Sequence, residues 1–295
     1  MKLAVGPLLF YWPKQKVMNF YQAVETMPVD IVYLGEVVCA RRHEMRLDDW
    51  LFLAKKLSDA GKEVILSTQG LLESEADLQR VRKMVNNGFC HLEANDHGAV
   101  MLLSEQKVSF VAGMHLNIYN QSTLAYFQKL GCVRWVPPVE MESAVLEKVL
   151  ADKPENMQTE VFAYGKMPLA FSARCFTARH YGLNKDDCQF KCQEHPDGLL
   201  LATQENQAFL SINGTQTQSA QSVNLINYMD DMQKMGIDIL RLSPQYQHFE
   251  EIVAAFDMAR CGMPVSISWA DFNSAGHCDG YWSGKAGLEM TENLS

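Results

Sequence analysis

Hydrophobic positions along the chain alternate between helical spacing and short continuous apolar runs. Before Gly61, apolar residues recur every three or four positions, and the apolar run Glu63–Ser67 follows the glycine. The same order recurs three more times, and the last of these predicted helices spans Val223–Met235 and ends before Gly236. Glycine readily takes the left-handed conformation that ends a helix. Apolar strands between helices indicate parallel strands that are covered on both faces.

This alternation predicts eight strand–helix units. The expected strands are Lys2–Val5, Asp30–Leu34, Glu63–Ser67, Cys90–Glu93, Ser109–Met114, Cys132–Val136, Thr159–Ala163 and Asp238–Leu242. Eight such units in 295 residues favour an α/β fold, a TIM-type (β/α)8 barrel, whether regular or imperfect. A doubly wound open sheet is the alternative, although no G-x-G-x-x-G dinucleotide motif follows the first strand.

The interval between strands seven and eight breaks the alternation. About residues 165–221 carry three cysteines and the alternating stretch LLLATQENQAFLSINGTQT, which predicts a β-hairpin. An insert after the carboxyl end of a barrel strand lies over the face where barrel active sites form. Because no low-complexity linker separates it, we expect residues 1–295 to form a single barrel domain with this insert.

Charge and hydropathy narrow the classes of function. The chain has 26 Lys and Arg against 35 Asp and Glu, a net charge of −9, so no nucleic-acid partner is expected. No run approaches the roughly 18 apolar residues of a membrane helix, so no membrane span is expected. Pro7 and Pro13 interrupt the apolar start, which suits a buried strand better than a signal peptide. We therefore expect a cytoplasmic protein with reduced thiols.

Three of the eight cysteines lie together in the insert, with the spacing C-x12-C-x3-C. They are Cys175, Cys188 and Cys192, and Cys39 follows the second predicted strand on the same expected rim of the barrel. Thiolates suit soft sites such as iron–sulfur clusters or zinc. These four residues are therefore candidate ligands of a metal or cluster, with basic side chains following Cys39 and surrounding Cys175.

Other interpretations of the cysteines stay open at this point. Cys188, Cys192 and His195 form C-x3-C-x2-H, a possible zinc ligand set. Cys278 lies in a polar tail and is the best substitute if one of the four candidates is wrong. The remaining three, Cys90, Cys132 and Cys261, have apolar neighbours, which favours core packing.

Polar residues at the carboxyl ends of the predicted strands are further candidates, because barrel active sites draw on such positions. They are Glu36, Gln69, Asn95, His115, Asn117, Tyr164 and Arg241.

The segment Glu160–Cys175, EVFAYGKMPLAFSARC, resembles the signature of the collagenase-like peptidase family, approximately E-x-F-x-H-G-x-x-C-x-x-x-S-G-x-C. The matching residues are Glu160, Phe162, Gly165, Ser172 and Cys175. Tyr164 replaces the histidine of the signature, Pro168 its first cysteine, and Ala173 its second glycine. The barrel and the cysteine-bearing insert extend the resemblance over most of the chain.

The resemblance implies a [4Fe-4S] cluster, with zinc as the alternative. Family members resemble iron–sulfur proteins that take four ligands from the late segment, so Cys39 would replace the ligand lost at Pro168. This rearrangement and the terminal GYWSGKAG resemble the branch that acts in oxygen-independent ubiquinone biosynthesis. The resemblance implies an iron–sulfur subunit of a heteromeric hydroxylase of ubiquinone precursors, a heterodimer with a UbiU-like family member, and contact with quinone-precursor pathway proteins.

Two other activities remain open within the same family. One is a peptidase, although no Ser-His-Asp, Cys-His or H-E-x-x-H arrangement supports it. The other is an RNA-base hydroxylase, which the acidic net charge disfavours unless a partner supplies a basic surface.

Overall fold

The computed structural model describes residues 1–291 as an α/β barrel that carries an antiparallel extension. In chain order its strands are β1 (Lys2–Val5), β2 (Ile31–Leu34), β3 (Glu63–Ser67), β4 (His91–Ala94), β5 (Phe110–Ala112), β6 (Cys132–Trp135), β7 (Gln158–Phe171), β8 (Leu199–Ala202), β9 (Ala208–Asn213), β10 (Gln216–Asn224), β11 (Ile239–Leu242) and β12 (His277–Cys278). Its α-helices are α1 (Lys14–Val24), α2 (Leu47–Asp59), α3 (Glu75–Val85), α4 (His97–Glu105), α5 (Gln121–Lys129), α6 (Ser143–Ala151), α7 (Phe176–His180), α8 (Met229–Lys234) and α9 (Phe249–Arg260).

Eight parallel strands close the barrel, as the hydrophobic pattern predicts. Strands β1 to β7 pair in chain order, and β11 pairs in parallel with both β1 and β7. Leu240 of β11 lies opposite Leu3 on one side and Val161 on the other. The TIM-type (β/α)8 fold is therefore confirmed, and no open sheet edge remains within the barrel.

The helices cover the barrel with apolar faces. In α2, Trp50, Leu53, Ala54 and Leu57 are buried at the spacing that places side chains on one helical face. At the carboxyl end of β2, Gly35 has φ +128°, and a Cβ there would lie 2.5 Å from the Ser67 carbonyl oxygen of β3. Only glycine allows the chain to leave β2 this close to its neighbour.

Strand β7 runs past the barrel and continues into an antiparallel extension of the same sheet. Its last residues pair with β10, which pairs with β9, which in turn pairs with β8. The expected strand Thr159–Ala163 is thus too short, because β10 provides an antiparallel partner as far as Phe171. Residues 172–198 connect β7 to β8 through α7 and short 3-10 turns.

Two local expectations near the end of the chain are wrong. The helix expected over Val223–Met235 begins only at Met229, because Val223 and Asn224 still pair with β7 as the end of β10. The residue Cys278, expected in a polar tail, is fully buried in β12 against β10. Burial raises the pKa of its thiol to about 12, and the residue belongs to the apolar core.

Candidate thiol site at the barrel rim

The turn between β9 and β10 anchors the insert to the loop that follows β2. The Thr215 hydroxyl donates to the Val38 carbonyl at 2.7 Å, and the Asn213 amide donates to the Leu9 carbonyl at 2.7 Å. On its other side, Gly214 accepts from the Phe176 amide at 2.9 Å, at the start of α7. The turn therefore holds the residues around Cys39 beside those around Cys175, although the two are far apart in sequence.

Three of the four candidate thiols lie within electrostatic range of one another at this contact. The half-buried thiols of Cys39 and Cys192 both interact electrostatically with the thiol of Cys175. The Cys175 sulfur also accepts the Ala178 amide at 3.4 Å, capping α7. Burial raises the pKa of the Cys39 thiol to about 11 and raises that of Cys192 as well, so both are protonated thiols at neutral pH without a bound cation.

The fourth candidate, Cys188, is also half-buried and directly follows the 3-10 turn Lys185–Asp187. This turn is tied to the β2 loop, since the Arg41 guanidinium donates to the Asp186 carbonyl at 2.6 Å. Within residues 1–291, no three or more His, Cys, Asp or Glu side chains already form a group that could hold a metal ion. The thiols are thus neighbours but not in a ligating arrangement.

Arg42 is the charged centre of the site. Its buried guanidinium donates to the Leu9 carbonyl at 2.7 Å and to the Asn213 side-chain oxygen at 2.6 Å, and it lies 3.5 Å from the Glu36 carboxylate. It also interacts electrostatically with the thiols of Cys39 and Cys192. Its Nε has no hydrogen-bond partner among the described residues. A buried cation beside the thiols of Cys39 and Cys192 suits a negatively charged group held by thiolates, such as an iron–sulfur cluster.

Arg41 is a second cation at this site, and its Nε is likewise buried without a hydrogen-bond partner in the described structure. Glu36 stabilises the loop that follows β2, because one of its carboxylate oxygens accepts the amides of Val38 and Cys39, at 2.9 and 3.0 Å.

His195, the histidine of the alternative zinc ligand set, has its Nε2 hydrogen-bonded to the Tyr181 hydroxyl at 2.6 Å.

The remaining strand-end candidates do not form one cluster. Gln69 lines a cavity between α2 and α3, whereas His115 and Asn117 line another of about 240 Å³ near the end of β7. The pKa of His115 is lowered to about 4, chiefly by burial. Tyr164 donates to the Gln245 side chain at 3.2 Å beside a third, polar cavity.

Asn95 and Arg241 belong instead to a buried polar network inside the barrel. Arg241 binds Glu160 through Nε and Glu93 through Nη1, both at 2.6 Å. The Tyr33 hydroxyl donates to the other oxygen of Glu160 at 2.5 Å, and the Asn95 amide donates to Glu93 at 3.1 Å. Glu93 and Tyr33 are not among the residues predicted from the sequence, although a charged residue inside an otherwise apolar strand is a signal that could have identified Glu93.

Comparison with known proteins places these features in a family. The profile described as Peptidase family U32 matches residues 16–261. A collagenase of Porphyromonas gingivalis is 20% identical over 89% of this chain and 70% of its own length. The tRNA hydroxylation protein P of Escherichia coli is 25% identical over 112 residues, which cover 37% of this chain and 24% of that protein.

The solved structure of the U32 peptidase Mk0906 superposes with a TM-score of 0.45 at 10% identity, covering 83% of this chain and 93% of that one. Within the described part of this chain, no helix has the length and apolar character to cross a membrane. Since the family profile spans most of the sequence, the chain belongs to Peptidase family U32.

Proposed function

We propose that this protein is the iron–sulfur subunit of an oxygen-independent hydroxylase of ubiquinone precursors, within the UbiV branch of its family. The observation that carries the proposal is that Cys175 lies within electrostatic range of Cys39 and Cys192, and that the buried Arg42 lies beside these last two thiols. The departure of Pro168 from the family signature supports it, because Cys39 supplies a thiol from the β2 loop in place of the missing cysteine.

The similarity to a tRNA hydroxylation protein supports hydroxylation over peptide hydrolysis as the chemistry. Among the described residues around the thiols, no Ser or Thr hydroxyl is hydrogen-bonded to a His, Asp or Glu side chain; the hydroxyl bonded to His195 there is that of Tyr181. The Glu36 carboxylate binds backbone amides and Arg42. An acidic chain of net charge −9 favours a small precursor over an RNA substrate.

Cys39, Cys175, Cys188 and Cys192 would hold a [4Fe-4S] cluster, with zinc as the alternative occupant. When bound, such a cluster supplies one-electron transfer. The chain contributes three things of its own. Arg42 and Arg41 supply positive charge beside the thiolates, Glu36 fixes the loop that presents Cys39, and the Asn213–Thr215 turn keeps the two halves of the site together.

Anaerobic purification with iron and sulfide analysis and electron paramagnetic resonance tests the cluster. We expect about four iron and four sulfide per chain, lost or strongly reduced when any one of the four cysteines is replaced by Ala. Cys261→Ala is the matched control, because Cys261 is exposed at the end of α9 and should leave the iron content unchanged. Full iron content in all four variants, or stoichiometric zinc instead, would contradict the assignment.

The pathway and the partner need a separate test. A strain that lacks the gene should accumulate unhydroxylated quinone precursors without oxygen, and the wild-type chain but not Cys39→Ala should restore ubiquinone. We also expect co-purification with a UbiU-like family member as a heterodimer. Peptide hydrolysis by the purified metal-free chain would favour the peptidase alternative, and hydroxylated tRNA lost from that strain would favour the RNA-base hydroxylase.

A further inference from the structure

A gap in the outer helical layer lies between α2 and α3. Leu47 and Trp50 of α2 line this gap together with Val81 and Met84 of α3. The gap holds an open cavity of about 290 Å³, which we call the α2–α3 cavity. Its volume corresponds to roughly ten water molecules. Gly35 and Ser67 line it, so the cavity reaches the carboxyl ends of β2 and β3.

The charge around this cavity is opposite to that of the whole molecule. Four basic side chains line it, namely Arg42, Arg46, Arg80 and Lys83, against the single carboxylate of Glu36. The chain as a whole carries a net charge of −9. A concentration of one sign of charge in a cleft draws ions of the opposite sign into it.

Two of these cations lack counter-ions. Neither Arg46 nor Lys83 forms an ion pair with any residue in the described part of the chain, whereas Arg80 pairs with Asp77 at 3.0 Å. After burial, the nearby charges of Arg80, Arg41 and Arg46 lower the pKa of His43, which also lines the cavity. Among the described residues, carboxylates therefore pair directly with Arg42 and Arg80 but not with Arg46 and Lys83, although Asp49 acts on Arg46 at longer range.

Deeper in the cavity the lining is apolar, and one buried donor remains free. Trp50, Leu66 and Val81 are buried and form its inner wall. Arg42 lines the cavity as well, and its Nε has no hydrogen-bond partner among the described residues. Apolar lining with a few placed polar groups is typical of small-molecule sites.

We propose that the α2–α3 cavity binds a small organic anion, a carboxylate attached to an apolar body about the size of one ring. The carboxylate faces Arg46, Arg80 and Lys83, and the apolar body lies against Trp50 and Leu66. The cavity shares Glu36 and Arg42 with the thiol site, so the anion binds beside it. This inference stands on the cavity alone and holds whether or not the cysteines carry a cluster.

Calorimetric titration of the full chain with benzoate, acetate, benzamide and inorganic phosphate tests this inference. Benzoate should bind at least about tenfold more tightly than acetate, which lacks the ring, and than benzamide, which lacks the charge. Phosphate or acetate binding as tightly as benzoate would overturn the apolar half of the proposal. Equal binding of benzamide would overturn its charged half, and no benzoate binding at all would overturn the site.

Variants then locate the site. The double variant Arg46→Gln/Lys83→Gln should weaken benzoate binding at least about fivefold. Arg82→Gln is the control on the same helix, because Arg82 lies outside the cavity and pairs with Glu75 at 2.5 Å. Met84→Trp, which fills the cavity without removing a charge, should also abolish binding. Unchanged benzoate affinity in both the double variant and Met84→Trp would place the ligand elsewhere, and circular dichroism verifies that each variant is folded.

Discussion

Single residues, above all Arg42, connect parts of the chain that the sequence separates. One guanidinium contacts the loop after β1, the loop after β2 and the insert, through Leu9, Glu36 and Asn213. A residue with these contacts cannot be recognised from spacing. In the sequence Arg42 is one of three basic residues after Cys39, and nothing distinguishes it from Arg41 or His43.

Arg42→Gln should therefore destabilise the metal-free protein as well as the site. Glutamine leaves the half-buried Glu36 carboxylate without its cation and removes the donor to the Leu9 carbonyl, which together cost about 2–4 kcal/mol. Urea unfolding measures the loss. Arg82→Gln, which breaks only an exposed pair, should change stability much less. Equal stability of the two variants would show that Arg42 is not an anchor.

A second prediction at this scale concerns His277. It is buried between Tyr164 and Trp269, its Nε2 has no partner among the described residues, and burial lowers its pKa to about 4. Because the unfolded histidine has a pKa near 6.5, the unfolded state binds more protons between these values. Stability should thus fall as the pH drops from about 6.5 to about 4, by up to about 3 kcal/mol.

His277→Phe should remove this part of the pH dependence while leaving stability above pH 7 little changed. Chemical unfolding of both proteins at a series of pH values makes the comparison, since other acid-sensitive groups contribute equally to each. Parallel curves for the wild type and His277→Phe between pH 7 and 4 would show that His277 does not titrate in this range.

At the scale of elements, the strands of the barrel could be predicted from the sequence. The contacts of the insert with the loops after β1 and β2 could not. Seven of the eight expected barrel strands begin and end within two residues of the observed ones, because a buried parallel strand is a continuous apolar run. β7 is the exception, since its extension depends on pairing with β10, about 50 residues later. The candidate site depends on such long-range contacts, so the sequence identified its cysteines but not the turn that brings them together.

A substitution in the Asn213–Thr215 turn tests directly whether this turn holds the loop that carries Cys39. Gly214 has φ +67°, and an added Cβ would lie 3.0 Å from Nη2 of Arg42, whereas Gly182 has φ +68° and nothing within 4 Å. Gly182→Ala should cost only the backbone strain, about 1 kcal/mol. Gly214→Ala should cost clearly more and speed amide hydrogen exchange in the loop that carries Cys39. Identical effects of the two substitutions would mean that the turn does not hold that loop.

On the scale of the whole molecule, the buried network of Glu93, Glu160 and Arg241 ties three barrel strands together from the inside. Glu160→Gln removes one charge from this network and should cost about 3–5 kcal/mol, because Arg241 loses a buried partner. The exposed Glu250→Gln is the control. Thermal unfolding distinguishes this role from a purely catalytic one, in which Glu160→Gln would lose activity but keep the melting temperature of the wild type.

The final prediction follows from how the proposed cluster ligands are covered. Cys175, Cys188 and Cys192 are each only half-buried, and β8 of the same insert is the edge strand of the sheet. On that sheet Leu200 and Phe209 are 49% and 47% exposed, an apolar surface that a partner subunit could cover. A cluster held here is reachable by dissolved oxygen in the isolated chain. Air should therefore bleach its visible absorption and release iron, and more slowly once a UbiU-like partner is bound. An isolated chain that keeps its iron, sulfide and spectrum through prolonged aeration, against a sample held without oxygen, would show that the cluster is sealed by this chain alone or is not iron–sulfur.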